Sequence, residues 1–192
     1  MIKQFSIIEG PVDPRPAGSL RTLWNEPRPT PPILMGVPNR FTGIIERWLP
    51  DGAESRVAAA PGTVLDFLAE EHVMVDGPRT SVKLMSLISP RQGMSRADFL
   101  QYWHDKHAVV AASIEPIWRH VRHYVQNHIV AGSTRGSAPG ATAFGLLELY
   151  FDSTEAIELA FSQPEVAALR ADEDNFLNRE LSTRLFVVER DL

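Results

Sequence analysis

Between Met94 and Pro116 the chain carries a segment that can bury an apolar face only as a helix, and this segment limits what can surround it. Ser95 is a good N-cap, and Asp98 three residues on completes a variant of the capping box. Met94 and Phe99 stand where a hydrophobic staple puts them, and Pro116 ends the helix near Glu115. Before it, residues 82–88 read as a strand stopped by Pro90 and Gly93; after it, residues 121–129 read as another. A Gly/Ser/Ala-rich loop over 132–142 leads to a strand from Phe144 to Phe151. Ser153 caps a short helix to about Phe161, Ser162 with Glu165 opens a second to about Asn178, and residues 184–189 form the last strand. The order from residue 82 is β-α-β-β-α-β, which predicts an α+β, ferredoxin-like unit with four antiparallel strands and helices on one face.

The first 80 residues read differently. Residues 2–8 alternate as a strand does, residues 41–49 read as a second strand and residues 62–71 as a helix. Between them, residues 10–38 hold Pro11, Pro14, Pro16, Pro27, Pro29, Pro31 and Pro32, which disfavour a regular helix. They predict an extended arm, with Leu20, Leu23 and Trp24 giving it something to pack. A faint repeat also runs through the chain. Gly43-Ile44-Ile45-Glu46 is echoed by Gly145-Leu146-Leu147-Glu148, and Ile2-Lys3 with Ser6 by Val82-Lys83 with Ser86. The expected division is therefore a shortened, divergent half over 1–80 and a complete half over 81–192. In a tandem repeat of this kind the two halves would pack sheet to sheet as an internal pseudo-dimer; otherwise a homodimer is expected to cover the apolar sheet face.

Composition removes several functions. There is no cysteine, so disulfides, thiolate catalysis and cysteine-held metals are excluded. A formal net charge of −5 disfavours a nucleic-acid partner or an anionic membrane surface. No leader-like or membrane-spanning apolar run is present, which points to the cytoplasm. No glycine-rich phosphate loop, HExxH or GxSxG motif occurs, so no cofactor is expected.

On a helical wheel His107 falls in the middle of the apolar stripe of Phe99, Trp103, Val110 and Ile114, all within about 40° of Trp103. Two readings stand for it: a core histidine satisfied by hydrogen bonds, or a neutral imidazole facing a pocket as general base. Tyr102 and His104 sit at opposite borders of the stripe, where a tyrosine hydroxyl can serve a developing oxyanion. The His104/His107 spacing can chelate a metal, but the two diverge by about 60° on the wheel and no inner carboxylate joins them, so no metal is expected. On the strand 121–129, alternation separates Tyr124 and His128 from His123, Val125 and Asn127. The second set is the more apolar and predicts the face turned to the helices, putting Asn127 beside His107. Glu148 interrupts an apolar strand and must be paired or functional.

The run Gly93-Met94-Ser95-Arg96-Ala97-Asp98-Phe99-Leu100-Gln101-Tyr102-Trp103-His104-Asp105-Lys106-His107 resembles the signature of the EthD family. So do Tyr124-Val125-Gln126-Asn127-His128 and the tail from Phe151 to Glu189. The resemblance covers residues 81–190 and implies the dimeric α+β barrel fold, with a pocket between sheet and helices and the helix histidine, here His107, near it. Relatives of that kind include aromatic polyketide cyclases, methylmuconolactone isomerases, decarboxylase-like enzymes and accessory proteins of ether degradation. Val109 stands where the family often has proline. The resemblance implies a cofactor-free lyase, isomerase or cyclase acting by proton transfer on a small aromatic, polyketide-like or lactone compound. His107 and Tyr102 are then the expected catalytic pair, and Trp103, His104, Tyr124, Asn127, His128 and Glu148 the residues expected to touch substrate. The alternatives are a non-catalytic binding or accessory protein with the same pocket, and a structural assembly module.

Overall fold

The computed structural model describes residues 1–10, 21–29, 41–50 and 58–192. Its strands are β1 (Ile2–Ile8), β2 (Arg21–Pro27), β3 (Gly43–Trp48), β4 (Thr63–Val75), β5 (Val82–Pro90), β6 (Val121–Ile129), β7 (Arg135–Gly136), β8 (Gly145–Phe151) and β9 (Leu177–Asp191). Between β5 and β6 lie α1 (Arg96–Gln101), a π-helical turn (Tyr102–His107), α2 (Ala108–Ser113) and α3 (Glu115–Trp118); between β8 and β9 lie α4 (Thr154–Phe161) and α5 (Val166–Glu173). All pairings are antiparallel, in the order β1-β3-β2-β9-β5-β8-β6-β4, and β4 returns to β1. Eight strands thus close a barrel, to which the short β7 adds at β4.

This corrects the expected fold class. The strands after residue 82 do not stop as a four-stranded ferredoxin-like α+β sheet. β9 pairs onward with β2, β6 pairs onward with β4, and the molecule is a closed, mostly β-sheet barrel with few helices. Closure removes both free edges, which otherwise present a row of unpaired backbone donors and acceptors.

Three local expectations fail with it. Residues 62–71 are not a helix: from Thr63 on they belong to β4. Val64, Leu65, Phe67 and Leu68 have helical spacing, but Leu65, Phe67 and Ala69 are also every second residue, and the barrel selects that period by pairing β4 with β1 and β6. Residues 21–27 of the supposed arm are a barrel strand; residues 11–20 and 30–40 lie outside those described. Ser162 does not open α5; it ends α4, its Oγ donating to the Leu159 carbonyl at 3.1 Å. The cap at Ser95 is as expected, its Oγ accepting the Asp98 N–H at 3.1 Å.

Alternation along the strands makes two cores. Phe5, Ile7, Leu65, Phe67, Met85, Leu87, Leu146 and Leu185 fill the barrel interior. Leu84, Leu149, Phe151 and Phe186 face outward under the helices, where Ile157 of α4 packs on them, and Ile88, Phe99, Trp103 and Phe176 form a smaller cluster beside them.

The interior also holds charge. Lys3 Nζ lies 2.7 Å from Glu46 and 3.1 Å from Glu148, and Lys83 Nζ lies 3.0 Å from Glu46 and 2.9 Å from Glu148. Glu71 caps Lys3 at 2.8 Å, and Glu189 caps Lys83 at 2.7 Å. Burial alone would lower the pKa of both ammoniums; the surrounding carboxylates, Glu148 foremost, raise it instead. Burial would raise that of Glu148, and Lys3 and Lys83 hold it well below the ordinary carboxylate range. Among the described residues no helix is long and apolar enough to cross a membrane.

Candidate functional site

The helix after β5 departs from a regular wheel at the position that matters. From Tyr102 to His107 it is π-helical, and the Ala108 N–H donates to the Trp103 carbonyl, five residues back. The Gln126 amide donates to the same carbonyl at 3.0 Å. A π-turn inserts a residue and turns the following side chains, a device found disproportionately at functional positions. Here it leaves Trp103 and His107 buried together.

His107 Nδ1 is 2.7 Å from Asp172 Oδ2 in α5, and the Tyr102 hydroxyl donates to Asp172 Oδ1 at 2.8 Å. A carboxylate only accepts, so Nδ1 carries the proton and Nε2 is the nitrogen that can gain or lose one. The His107 and Tyr102 rings both pack on Phe176, with centroids 4.9 and 5.3 Å away. Burial first, then Asp172, raises the pKa of the Tyr102 phenol, which keeps it a donor.

His107 lines a cavity of about 120 Å³ between the helices and the outer face of β5, β6, β8 and β9. Trp103, Leu84, Tyr124, Leu147, Leu149 and Phe176 give it a mostly apolar wall. Burial pushes the Tyr124 phenol up, so it stays neutral. Ser86, Glu173, Arg179 and Arg184 supply polar lining. Two lining groups are buried without a partner among the described residues: the Ser86 hydroxyl and the Trp118 indole N–H. Unsatisfied groups of this kind cost about 1–3 kcal/mol each and are suited to a bound polar atom.

The expected site residues separate into three places. His107, Trp103 and Tyr124 meet at the cavity, and Tyr102 joins through Asp172. His104 and His128 lie behind Trp103 in a cluster with His72, where the His72 and His128 rings are 4.1 Å apart. Asn127 and Glu148 are inside the barrel, where the Asn127 amide donates to Glu148 at 2.8 Å. The face assignment of 121–129 is therefore reversed. Tyr124 turns to the helices and Asn127 to the interior, because the barrel interior buries charge that a simple apolar count assigns to a surface. A bulge between Val121 and His123 also returns Val121 to the cavity wall. Asp172, Ser86, Trp118, Glu173 and Arg184 were not legible as site residues. Ser86 offered one signal, a lone hydroxyl in an otherwise apolar strand face. Among the described residues no group of His, Asp or Glu is arranged to hold a metal ion.

A closed antiparallel barrel with a helix-covered cavity and a histidine–carboxylate pair on its wall defines the class. Residues 91–180 match the family model of the EthD domain. Three solved structures share the fold. An anthrone oxidase-like protein is 14% identical with a TM-score of 0.55, over 99% of this chain and 92% of that one. A protein from Lactobacillus acidophilus described as a "putative monooxygenase" is 10% identical with a TM-score of 0.50, over 98% and 93%. Another so described, from Fusobacterium nucleatum, is 7% identical with a TM-score of 0.52, over 100% and 96%. No curated protein matches the chain.

Proposed function

We propose that the cavity is the active site of an enzyme that removes a proton from a small aromatic or polyketide-like compound, with His107 Nε2 as the base. The observation that carries this reading is the 2.7 Å contact of His107 Nδ1 with Asp172 at the wall of a largely apolar cavity. Asp172 fixes the tautomer and stabilises the imidazolium formed when Nε2 takes the proton. Tyr102, hydrogen-bonded to the same carboxylate, holds that carboxylate in place. The apolar wall excludes water from the base and accepts the substrate's ring by shape. Abstraction of an acidic C–H or O–H proton is the first step shared by cyclisation and isomerisation, and by oxidation of an anthrone, the compound named for one of the structural neighbours.

The step can be measured by itself. Anthrone has an activated CH₂, and under anaerobic conditions in deuterium oxide its exchange reports proton abstraction without any later step. The native protein is expected to catalyse this exchange. His107→Gln should keep the fold by circular dichroism and lower the rate by about 10²–10⁴-fold. Unchanged exchange in that variant would show that His107 is not the base, and native exchange no faster than in buffer, with anthrone bound, would establish the binding-protein reading instead.

A further inference from the structure

The polar side of the cavity reports the chemical class of its ligand. Ser86 on β5 and Arg184 on β9 are register partners, so their side chains stand next to each other on the outer sheet face. Both line the cavity. The Ser86 hydroxyl is buried and unpartnered. Arg184 reaches Glu173 only through Nη2, at 3.4 Å to both carboxylate oxygens, and its side chain is 22% exposed. Its other nitrogens have no partner among the described residues. Glu173 is shared with Arg179, also at 3.4 Å, and Arg179 takes Asp174 at 2.9 Å. Arg170 lines the same wall. Asp172, bonded to His107, and Glu173, bonded to Arg184, are consecutive residues of α5. One small molecule can therefore span the base and the guanidinium.

We propose that Ser86 and Arg184 form a carboxylate subsite, and that the compound this cavity takes is an aromatic carboxylate. A guanidinium presents paired N–H donors that fit a planar carboxylate, and the serine hydroxyl supplies a further donor in a desolvated position. The assignment rests on the cavity being the active site, and its test reads binding alone. Fluorine NMR titrations would compare 4-fluorobenzoate with the neutral 4-fluorobenzamide. The native protein should bind the acid at least tenfold more tightly. Arg184→Gln should remove that preference and leave amide binding as it was, Ser86→Ala should weaken acid binding several-fold, and Glu173→Gln, which frees the guanidinium, should tighten it. Equal affinity for both probes, unaffected by Arg184→Gln, would overturn the subsite and leave the proton-transfer reading standing. Binding of neither probe would overturn both.

A second inference stands on the strand register alone. Lys3 lies opposite Ala69 as Lys83 lies opposite Val187, and Ser6 opposite Asp66 as Ser86 lies opposite Arg184. The Asn25 amide donates to the Ile44 carbonyl as the Asn127 amide donates to that of Leu146. Trp48 covers Lys3 as Tyr150 covers Lys83, at 4.6 and 5.0 Å. We infer that β1–β4 and the set β5, β6, β8 and β9 are two copies of one unit related by a pseudo-twofold axis through the lysine–glutamate square, and that only the second copy keeps a ligand site. The positions of Leu84, Ser86, Leu149 and Arg184 are held in the first copy by Gln4, Ser6, Arg47 and Asp66. These bond one another: Gln4 to Asp66 at 2.9 Å, Ser6 to Asp66 at 2.8 Å and Arg47 to Ser6 at 3.0 Å. Native mass spectrometry with 4-fluorobenzoate should count one ligand per chain; two per chain, both displaced by excess unfluorinated benzoate, would overturn the inference.

Discussion

At the scale of the residue, the proton on His107 Nδ1 is held by a group that cannot give one. Replacing Asp172 with asparagine removes that constraint, because an amide can offer its C=O or its NH₂ to the ring. Where a carboxylate sets a histidine tautomer for catalysis, this change costs up to about 10⁴-fold. For D172N we expect anthrone exchange to fall by at least about 10²-fold with the fold retained, and near-native exchange would show that Asp172 does not set the tautomer. A different histidine governs acid stability. Burial first, then His72, His104 and Arg96, push His128 down to about 3. Its folded pKa therefore lies below the unfolded value of about 6.5. The neutral ring contributes stability that is fully present above about pH 6.5 and is lost as pH falls from there toward 3. Thermal melts of the native protein should decline already between pH 6.5 and 5, and His128→Phe should decline less over that window. Parallel declines would show that the His72–His104–His128 cluster is not the cause.

At the scale of the element, the π-turn and β8 depend on each other through one glycine. A Cβ on Gly145 would lie 2.2 Å from the Trp103 ring, which is itself buried against Phe99 and His128. Trp103 can move away only by shifting the turn that also carries His107. Gly145→Ala should destabilise the protein by at least about 1–3 kcal/mol in urea denaturation, the usual range for overpacking. It should also slow exchange beyond what the lost stability explains. An alanine variant as stable as the parent would mean that Trp103 has room the geometry does not show. The pairing of β4 explains why its residues misread as helical. Both periods are present between Val64 and Ala69, and the pairings with β1 and β6 decide between them.

At the scale of the whole molecule, the barrel is locked by charges that belong to strands distant in sequence. Each lysine of the interior square touches both glutamates, and each glutamate both lysines. Lys3 thus bonds Glu148, and Lys83 bonds Glu46, joining the strands of residues 1–80 to those that follow. Removing one partner of such a set strands the others without water, and typically costs about 3–5 kcal/mol. Lys83→Met should destabilise by about that amount in urea denaturation. Replacing Lys3, Lys83, Glu46 and Glu148 together with apolar residues, and Glu189 with glutamine, should cost less than the single change, since Glu71 keeps Arg79 at 2.6 Å and no uncompensated charge is left. A single-variant loss below about 1 kcal/mol would refute the lock.

The segment from Ser95 to His107, its N-cap, the strand over 121–129 and the EthD resemblance were all legible from the chain alone, because caps, apolar periods and signature runs act between residues close in sequence. The matched residues on which the inferred repeat rests were visible too, with no partners named. What those residues do depended on closure. Glu148, the one odd charge read in an apolar strand, and Lys3, Lys83 and Glu46, read only as matched residues, became mutual partners when eight strands met around them. Which face of β6 turned to the helices followed from that interior being charged. Asp172 and Arg184 entered the site because α5 and β9 are laid against the helix carrying His107 and the strand carrying Ser86, across separations that no local pattern records. Local interactions set what each element could be; the choice among those possibilities came from closing the barrel, where every edge and every buried charge had to find its partner at once.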